Sequence, residues 1–220
     1  MALQFLKGEH FARYDPTAFG ENQRALDVDG ERYELELVDF STQERDSHYY
    51  RSLLRDTCRD SAGVVLLYSV TDKSSFQKIT TSEYDRLVLS RKQNFDQGGT
   101  SFQKLRYPYP AGQQRFGCIL VGSKADSPDI LREVDEEEAR SWATAHNMEH
   151  SEIDAHNRAQ VESAIVELIR AIIREEQKDA EQLKFAPETA GAQPPAAAQG
   201  VKQKRSFGGV LRDAVKKMAA

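Results

Sequence analysis

The stretch "GVVLLYSV", residues 63–70, decides the fold class because it is an unbroken run of apolar and β-branched residues. "RFGCILVGS", residues 115–123, is a second run of this kind. Strands that are apolar on both faces are typical of a parallel sheet covered by helices on both sides. The two runs therefore predict buried strands of a mostly parallel sheet.

The sequence before these runs predicts a β-hairpin. In "RALDVDGERYELELVD", residues 24–39, two short alternating segments flank Asp29-Gly30, which is a strong two-residue turn signal. Over residues 33–37 apolar side chains alternate with glutamates, as in a half-buried strand. The hairpin should add one antiparallel edge to the sheet.

Helical patterns alternate with the strands, which predicts an α/β fold. "SSFQKITTSEYDRLVLSRKQ", residues 74–93, should form a helix with Ser74 or Ser75 as its N-cap. "DEEEARSWATAHNM" begins with acidic residues that suit a helix N-terminus, and the short strand "EHSEID" follows. The final helix is amphipathic, with apolar residues at helical spacing: Val161, Ile165, Leu168, Ile169, Ile172 and Ile173.

Composition divides the chain of 220 residues into a domain over 1–178, a linker over 179–200 and a basic tail over 201–220. Gly, Pro and Gln dominate residues 93–114, which predicts a surface insertion. The tail holds six basic residues against one acidic residue, which leaves −10 on the rest of a chain whose total is −5. An acidic body argues against a nucleic-acid partner.

The basic tail suggests a partner of its own, such as an anionic membrane surface. Five of its apolar residues fall on one helical side: Phe207, Val210, Leu211, Val215 and Met218. The tail is therefore either an amphipathic helix that lies on the membrane or a disordered basic segment. Cys58 and Cys118 lack CxxC spacing and predict buried thiols in a reducing cytosol. We expect a cytoplasmic protein with peripheral attachment to the inner face of the plasma membrane.

Four segments in order, "HFARYDPT", "LVDFSTQE", "VGSKAD" and "SEIDAH", make residues 1–176 similar to the Ras subfamily of small GTPases. Each segment is weakly specific alone, and four in register are much more specific. The resemblance implies the Ras-like P-loop NTPase fold. It also implies signalling through GTP/GDP binding with Mg²⁺ and GTP hydrolysis.

For the base, the resemblance implies that Phe11 packs its ring edge against guanine. Asp126 would accept two hydrogen bonds from the ring N–H and amino group, a pair that adenine cannot supply. The stem of Lys124 would cover the base, and the amide of Ala155 would reach the carbonyl oxygen. Ser123 stands where the family has asparagine.

For the phosphates, the resemblance implies that Thr17 offers its hydroxyl to Mg²⁺ and its amide to the γ-phosphate. Asp39 would hold the same ion through water, and Gln43 would orient the attacking water. Thr42 replaces the glycine whose amide should touch the γ-phosphate and whose backbone should swing when that phosphate leaves. A β-branched residue resists such a movement.

The family's phosphate loop, G-x-x-x-x-G-K-[ST], does not occur in these residues, and neither does the dipeptide Gly-Lys. The chain begins where the family's first helix is under way, so we expect the central first strand and the loop to be missing. The loop supplies phosphate affinity and charge stabilisation. We therefore expect an impaired GTPase or, alternatively, a pseudo-GTPase that binds partners without nucleotide cycling.

The missing strand would lie between the segments 33–39 and 63–70, and each buried backbone group left unpaired costs about 1–3 kcal/mol. Either these neighbours pair with each other, another segment fills the slot, or the chain folds poorly. The resemblance implies effector or regulator proteins as partners, through residues 13–24 and 39–51. No cysteine lies near the C-terminus, so the sequence holds no prenylation motif, and residues 201–220 remain the predicted membrane contact.

Overall fold

The computed structural model of this chain describes residues 1–8, 22–39, 54–58, 60–96 and 116–185. Its strands are β1 (Gln23–Val28), β2 (Glu31–Glu36), β3 (Gly63–Ser69), β4 (Gly117–Ser123) and β5 (Glu149–Ile153). Its α-helices are α1 (Ala2–Lys7), α2 (Lys73–Lys78), α3 (Tyr84–Asp96), α4 (Glu136–Ala145) and α5 (Arg158–Phe185). A π-helical turn (Ile79–Glu83) joins α2 to α3, and a 3₁₀ turn (Asp129–Leu131) precedes α4.

The strands form two separate sheets. β3, β4 and β5 pair in parallel with β4 in the middle, and β1 pairs with β2 in an antiparallel hairpin. Both runs predicted to be buried strands, and the hairpin, are confirmed. In the described part of the chain no backbone ladder joins β2 to β3, so these two strands do not close up on each other.

Helices cover both faces of the parallel sheet, as its apolar strands predicted. On one face α1 and α5 enclose a core formed by Phe5, Val28, Tyr33, Ile119, Val121, Ile153, Val161, Ile165 and Ile169. On the other face α2, α3 and α4 enclose a core that includes Leu66, Tyr68, Phe76, Ile79, Leu87, Leu120, Val134, Ala139 and Ala143. The alternation of residues along β4 assigns successive side chains to opposite cores.

Among the described residues, side chains rather than a sheet ladder attach the hairpin to the rest of the fold. Its turn residues Asp29 and Gly30 both have positive φ, 51° and 85°, which is the backbone of a tight two-residue turn. Arg170 on α5 donates two hydrogen bonds to the Asp29 carboxylate, of 3.0 and 2.8 Å, and these lower the pKa of Asp29. Arg24 on β1 forms an ion pair with Glu162 on α5 and lies 4.5 Å from the ring centroid of Phe5.

One apolar side chain is exposed within β3. Leu67 lies near the middle of β3 and is 46% exposed, while its neighbours Leu66 and Tyr68 are buried on the opposite face. Burial of a leucine side chain is worth about 1.5–3 kcal/mol, so this exposure forgoes part of that stabilisation.

The predicted helix over 74–93 differs from the structure in two details. It begins at Lys73, one residue earlier, because the N-cap is Asp72 rather than Ser74 or Ser75, and the Asp72 carboxylate accepts hydrogen bonds from the amides of both serines. That helix is interrupted by the π-helical turn. Helix α5 extends to Phe185, beyond the predicted domain boundary at 178.

Cys118 is buried as predicted, whereas Cys58 is only partly buried, and both are thiols. Within the described residues no helix has the length and apolar character needed to span a bilayer. Most of the predicted insertion and all of the predicted tail fall outside the described residues.

Candidate guanine-binding site

Two loops meet at the carboxyl ends of β4 and β5. Ser123 and Ile153 are register partners at these ends, and the amide of Ala125 donates a hydrogen bond of 3.2 Å to the carbonyl oxygen of Ile153. The loop that carries Lys124 and Asp126 therefore lies beside the loop that carries Ala155. In parallel α/β sheets, this edge is where ligands bind.

The first loop is a tight turn. Lys124 has a φ of 64°, a left-handed conformation that costs a residue with a side chain about 1–2 kcal/mol. The turn closes through a 3.0 Å hydrogen bond from the amide of Ser127 to the carbonyl oxygen of Lys124. The side chains of Lys124 and Asp126 are both exposed, so they are accessible to a ligand.

The second loop is ordered by its own polar groups. The Asp154 carboxylate accepts a 2.8 Å hydrogen bond from the amide of His156, and the amide of Asp154 donates to the side-chain oxygen of Gln160 at 2.6 Å. Asn157 caps α5 by accepting hydrogen bonds from the amides of Ala159 and Gln160. Within the described residues, the amide of Ala155 has no hydrogen-bond acceptor.

Helix α1 braces this second loop. The side-chain nitrogen of Gln4, a residue only 8% exposed, donates a 2.8 Å hydrogen bond to the carbonyl oxygen of His156. The amide oxygen of Gln4 is buried and has no hydrogen-bond partner among the described residues. The buried side chain of Gln4 thus helps to position the loop that contains Ala155.

Of the residues predicted to contact the phosphates, Mg²⁺ or the attacking water, the structure describes only Asp39. It is exposed and lies three residues beyond the end of β2, so the strand ends earlier than predicted. Phe11, Thr17, Thr42 and Gln43 lie outside the described residues. Across the described ranges, no group of three His, Cys, Asp or Glu residues could hold a metal ion. The described residues therefore include the predicted base contacts Lys124, Asp126 and Ala155 on two adjacent loops, and only Asp39 of the residues predicted for the phosphates and Mg²⁺.

Comparison with known proteins decides the family. The model of the Ras family matches residues 1–174, which is most of the chain. The chain belongs to the Ras family. Ras-family proteins bind GTP or GDP with Mg²⁺ and act in signalling through effector and regulator proteins.

Individual relatives agree with this assignment. The Ras-like protein rasC of Dictyostelium discoideum is 26% identical over 174 residues, which cover 79% of each chain. The Ras-related protein O-RAL of Diplobatis ommata is 27% identical over 172 residues, which cover 78% of this chain and 71% of the relative. The Ras-related protein ralB-A of Xenopus laevis is 26% identical over the same length and the same shares.

Ser123 stands where the Ras family has asparagine, and both its side chain and its backbone form hydrogen bonds to neighbouring residues. Its hydroxyl donates a 2.7 Å hydrogen bond to the carbonyl oxygen of Tyr68, and its own carbonyl oxygen accepts a 3.0 Å bond from the amide of Val70. Two hydrogen bonds therefore connect the base-site loop to the end of β3.

A polar network beneath this loop was not predicted. The hydroxyl of Tyr68 lies 3.0 Å from Nε2 of His150 and donates to Glu152 at 3.2 Å, while Arg132 binds the Glu152 carboxylate through two hydrogen bonds of 2.9 and 2.7 Å. Tyr68, Gly122 and Glu152 lie in register across the three strands. A Cβ at Gly122 would lie 2.8 Å from the Tyr68 hydroxyl, so glycine lets the two flanking side chains meet.

Burial and neighbouring groups shift the pKa values of the residues in this network. It raises the pKa of Tyr68, and the neighbouring Glu152 carboxylate adds to the rise. It lowers the pKa of His150, because the imidazolium form loses solvation. The hydrogen bonds from Arg132 to Glu152 raise the pKa of Arg132. His150 and Glu152 lie on one face of β5, but this alternation alone does not identify Tyr68 or Arg132 as their partners.

Proposed function

We propose that this Ras-family chain is a signalling protein in which guanine recognition is retained while phosphate binding and GTP hydrolysis are impaired. The observation that carries the proposal is an imbalance between the two ends of the site. The base-reading residues Lys124, Asp126 and Ala155 are held on two adjacent loops. The 220 residues contain no G-x-x-x-x-G-K-[ST] motif, the loop whose amides and lysine cradle the β- and γ-phosphates in the family.

The base end supports selective recognition. Asp126 is exposed on a loop adjacent to that of Ala155, and a carboxylate and a backbone amide are an acceptor and a donor of the kinds that guanine can bind. The exposed Lys124 stem supplies an apolar surface for the ring. The guanine base is the uncharged part of the nucleotide. We therefore expect contacts to the base alone to give weak binding in the absence of phosphate contacts.

The phosphate end limits catalysis. Phosphoryl transfer depends on positioning and on neutralising the charge of the transferring group. Thr17, Asp39 and Gln43 are the proposed contacts to Mg²⁺, the γ-phosphate and water, and they are too few to replace the backbone amides and lysine of a phosphate loop.

A pseudo-GTPase is the second candidate, and two substitutions favour it. Thr42 stands at the pivot of the switch, and Ser123 stands at the asparagine of the base loop. Ser123 already donates its hydroxyl to Tyr68. In this case the chain binds effector or regulator proteins through residues 13–24 and 39–51 in a single state. Residues 201–220 would hold it at an anionic membrane surface inside the cell.

Titration with fluorescent GDP tests nucleotide binding by residues 1–220. With Mg²⁺ we expect weak binding that Asp126→Asn reduces at least tenfold and that the matched neighbour variant Asp129→Asn leaves unchanged. We expect no GTP hydrolysis above the rate in buffer. Tight saturable binding together with hydrolysis that Asp126→Asn abolishes would overturn the proposal.

The two candidates differ in how a partner responds to nucleotide. An effector bound equally well with GDP, with a GTP analogue and with EDTA supports the pseudo-GTPase. An affinity that changes at least tenfold between nucleotides supports a residual GTP switch, because coupling of that size needs about 1.4 kcal/mol of differential binding.

A further inference from the structure

Gln4 on α1 and Ser90 on α3 are both buried polar residues, but their hydrogen bonds differ in reach. Each residue is only 8% exposed. The hydroxyl of Ser90 donates a 2.7 Å hydrogen bond to the carbonyl oxygen of Leu87, three residues earlier in the same helix. The Nε2 atom of Gln4 instead donates to the carbonyl oxygen of His156, 152 residues away in the chain. Gln4 therefore connects two separate elements of the fold.

Stability alone gives little reason for a glutamine at this position. The Oε1 atom of Gln4 is buried and has no hydrogen-bond partner among the described residues. A buried acceptor left unpaired costs at least as much free energy as one neutral hydrogen bond contributes. The stabilisation from the Nε2 bond is therefore largely offset. We look for its role in what the bond does to the loop that contains Ala155.

The bond from Gln4 fixes one peptide group of a tight turn over residues 154–157. The amide of Asn157 donates a 3.0 Å hydrogen bond to the carbonyl oxygen of Asp154, which closes the turn. This amide belongs to the same planar peptide group as the carbonyl oxygen of His156. One end of the group is thus held within the turn, and the other end is held by Gln4. Because the group is planar, these two bonds fix its orientation.

The amide of Ala155 is the donor of this turn that is left for a ligand. The amide of Asp154 donates to the side chain of Gln160, and the amide of His156 donates to the Asp154 carboxylate. The amide of Ala155 has no acceptor in the part of the chain that the structure describes. A donor whose orientation is already fixed loses little conformational entropy when it binds.

Helix α1 is itself anchored, so Gln4 can serve as a fixed point for the turn. The next residue, Phe5, is fully buried, and its carbonyl oxygen accepts a hydrogen bond from Arg24 of the hairpin. The other end of α1 lies against the start of α5, since a Cβ at Gly8 would lie 2.7 Å from Nη1 of Arg158. The position of Gln4 is therefore set by the fold on both sides of the helix.

We propose that Gln4 is a positioning residue for guanine recognition, acting through the turn that carries Ala155. It holds this turn so that the amide of Ala155 donates to the 6-oxo oxygen of the base, while Asp126 on the neighbouring loop binds the 2-amino group. This inference rests on the base recognition proposed above. It divides that recognition into two halves, because Gln4 acts on the contact to the 6-oxo group and not on the contact to the 2-amino group.

Competition against fluorescent GDP measures the two halves separately. In 6-thio-GDP a sulfur, which is a weaker acceptor, replaces the 6-oxo oxygen, and inosine diphosphate lacks the 2-amino group. For the wild type we expect each analogue to bind about fivefold more weakly than GDP. Gln4→Met should weaken GDP binding about fivefold and remove the penalty for 6-thio-GDP, while the penalty for inosine diphosphate stays. Ser90→Ala is the matched control and should keep both penalties.

Gln4→Asn provides a second variant, because its side chain is polar but one methylene shorter, and it should give the same result as Gln4→Met. A Gln4→Met chain that keeps the full penalty for 6-thio-GDP would overturn this inference and leave the proposed base recognition intact. Equal loss of both penalties, an equal effect of Ser90→Ala, or failure of both Gln4 variants to fold would assign Gln4 a general structural role and also overturn it. If the wild type binds GDP no more tightly than ADP, the proposed function fails and this inference fails with it.

Discussion

The hydroxyl of Ser123 donates a 2.7 Å hydrogen bond to the carbonyl oxygen of Tyr68, across the ends of two neighbouring parallel strands. The same two segments are joined by the bond from the amide of Val70 to the carbonyl oxygen of Ser123. The loop of the predicted base contacts Lys124 and Asp126 is therefore joined to the end of β3 through Ser123, which stands where the family has asparagine.

Ser123→Ala should lower the free energy of unfolding by about 1–2 kcal/mol, because the carbonyl oxygen of Tyr68 would lose a hydrogen-bond donor. Chemical denaturation measures the change. Ser141→Ala is the control, since Ser141 is exposed on α4 and its substitution should change stability by less than about 0.5 kcal/mol. Equal effects of the two variants would contradict the role given to Ser123.

The ion pair of Arg132 and Glu152 should be coupled to the hydroxyl of Tyr68. Glu152 is nearly buried, with 9% of its side chain exposed, whereas Arg132 retains 29%. Glu152→Ala should cost about 2 kcal/mol, below the usual 3–5 kcal/mol for a fully buried pair, because water reaches the arginine.

A double-mutant cycle of Glu152→Gln and Tyr68→Phe, followed by denaturation, isolates the coupling within this network. We expect an interaction energy of about 1 kcal/mol. Additive effects of the two changes would mean that the 3.2 Å contact contributes nothing measurable to stability.

Two glycines that face Ile172 should respond differently to alanine. A Cβ at Gly117 would lie 2.5 Å from the backbone nitrogen of Ile172, whereas a Cβ at Gly63 would meet the end of its side chain at 2.8 Å. Gly117→Ala should cost about 3 kcal/mol and Gly63→Ala about 1 kcal/mol, because a helix backbone yields less readily than a terminal methyl group. Thermal unfolding measures both.

Shortening Ile172 serves as the control for this comparison. Ile172→Val should relieve part of the strain of Gly63→Ala, since it removes the Cδ1 methyl group and leaves Cγ1 at 2.9 Å and the Cδ1 of Leu168 at 3.0 Å. It should leave most of the strain of Gly117→Ala in place. Equal rescue of both glycine variants would show that side chains alone limit the packing of α5 on the sheet.

His150 should make stability depend on pH in mildly acidic solution. Burial lowers its pKa in the folded state, so the unfolded chain binds the proton more readily. Its contribution is therefore complete above the ordinary histidine pKa of about 6.5 and is lost as the pH falls below that value. Melting temperatures between pH 7.5 and pH 5.5 should fall more for wild type than for His150→Gln.

The window above pH 5.5 separates His150 from carboxylates whose pKa values are lowered by their partners, such as Glu162 with Arg24 and Asp72 with Ser74. Those groups lose their stabilising contribution only near and below pH 4. His156→Gln, at an exposed position, is the control and should follow the wild-type curve. A wild-type curve that is flat across the window would contradict the proposed burial of a neutral imidazole.

Much of the fold could be predicted because periodicity and turn chemistry are local. Asp29-Gly30 accommodates two positive φ values, which few other dipeptides do, so this dipeptide alone predicts the turn of the hairpin. The N-cap was placed wrongly because Ser74 and Ser75 are also good caps, and only the structure shows that their amides turn toward Asp72. The π-helical turn left no periodic signal in the sequence.

The base end of the site could be predicted because parallel strands bring their carboxyl ends together, and the two loops after β4 and β5 do lie side by side. The role of each residue there stays a prediction. The network of Tyr68 and Glu152 could not be predicted, since it depends on the register that places Gly122 between them. Register is a property of the assembled sheet and not of one strand.

The separation of β2 from β3 has a consequence for motion. Within the described residues the hairpin is attached by ion pairs and apolar contacts to α1 and α5, and by no shared ladder with β3. Within those residues, detaching the hairpin breaks no sheet hydrogen bond, although it removes Val28 and Tyr33 from the core that they share with β4. Its amide protons should exchange with deuterated solvent earlier than those of β4.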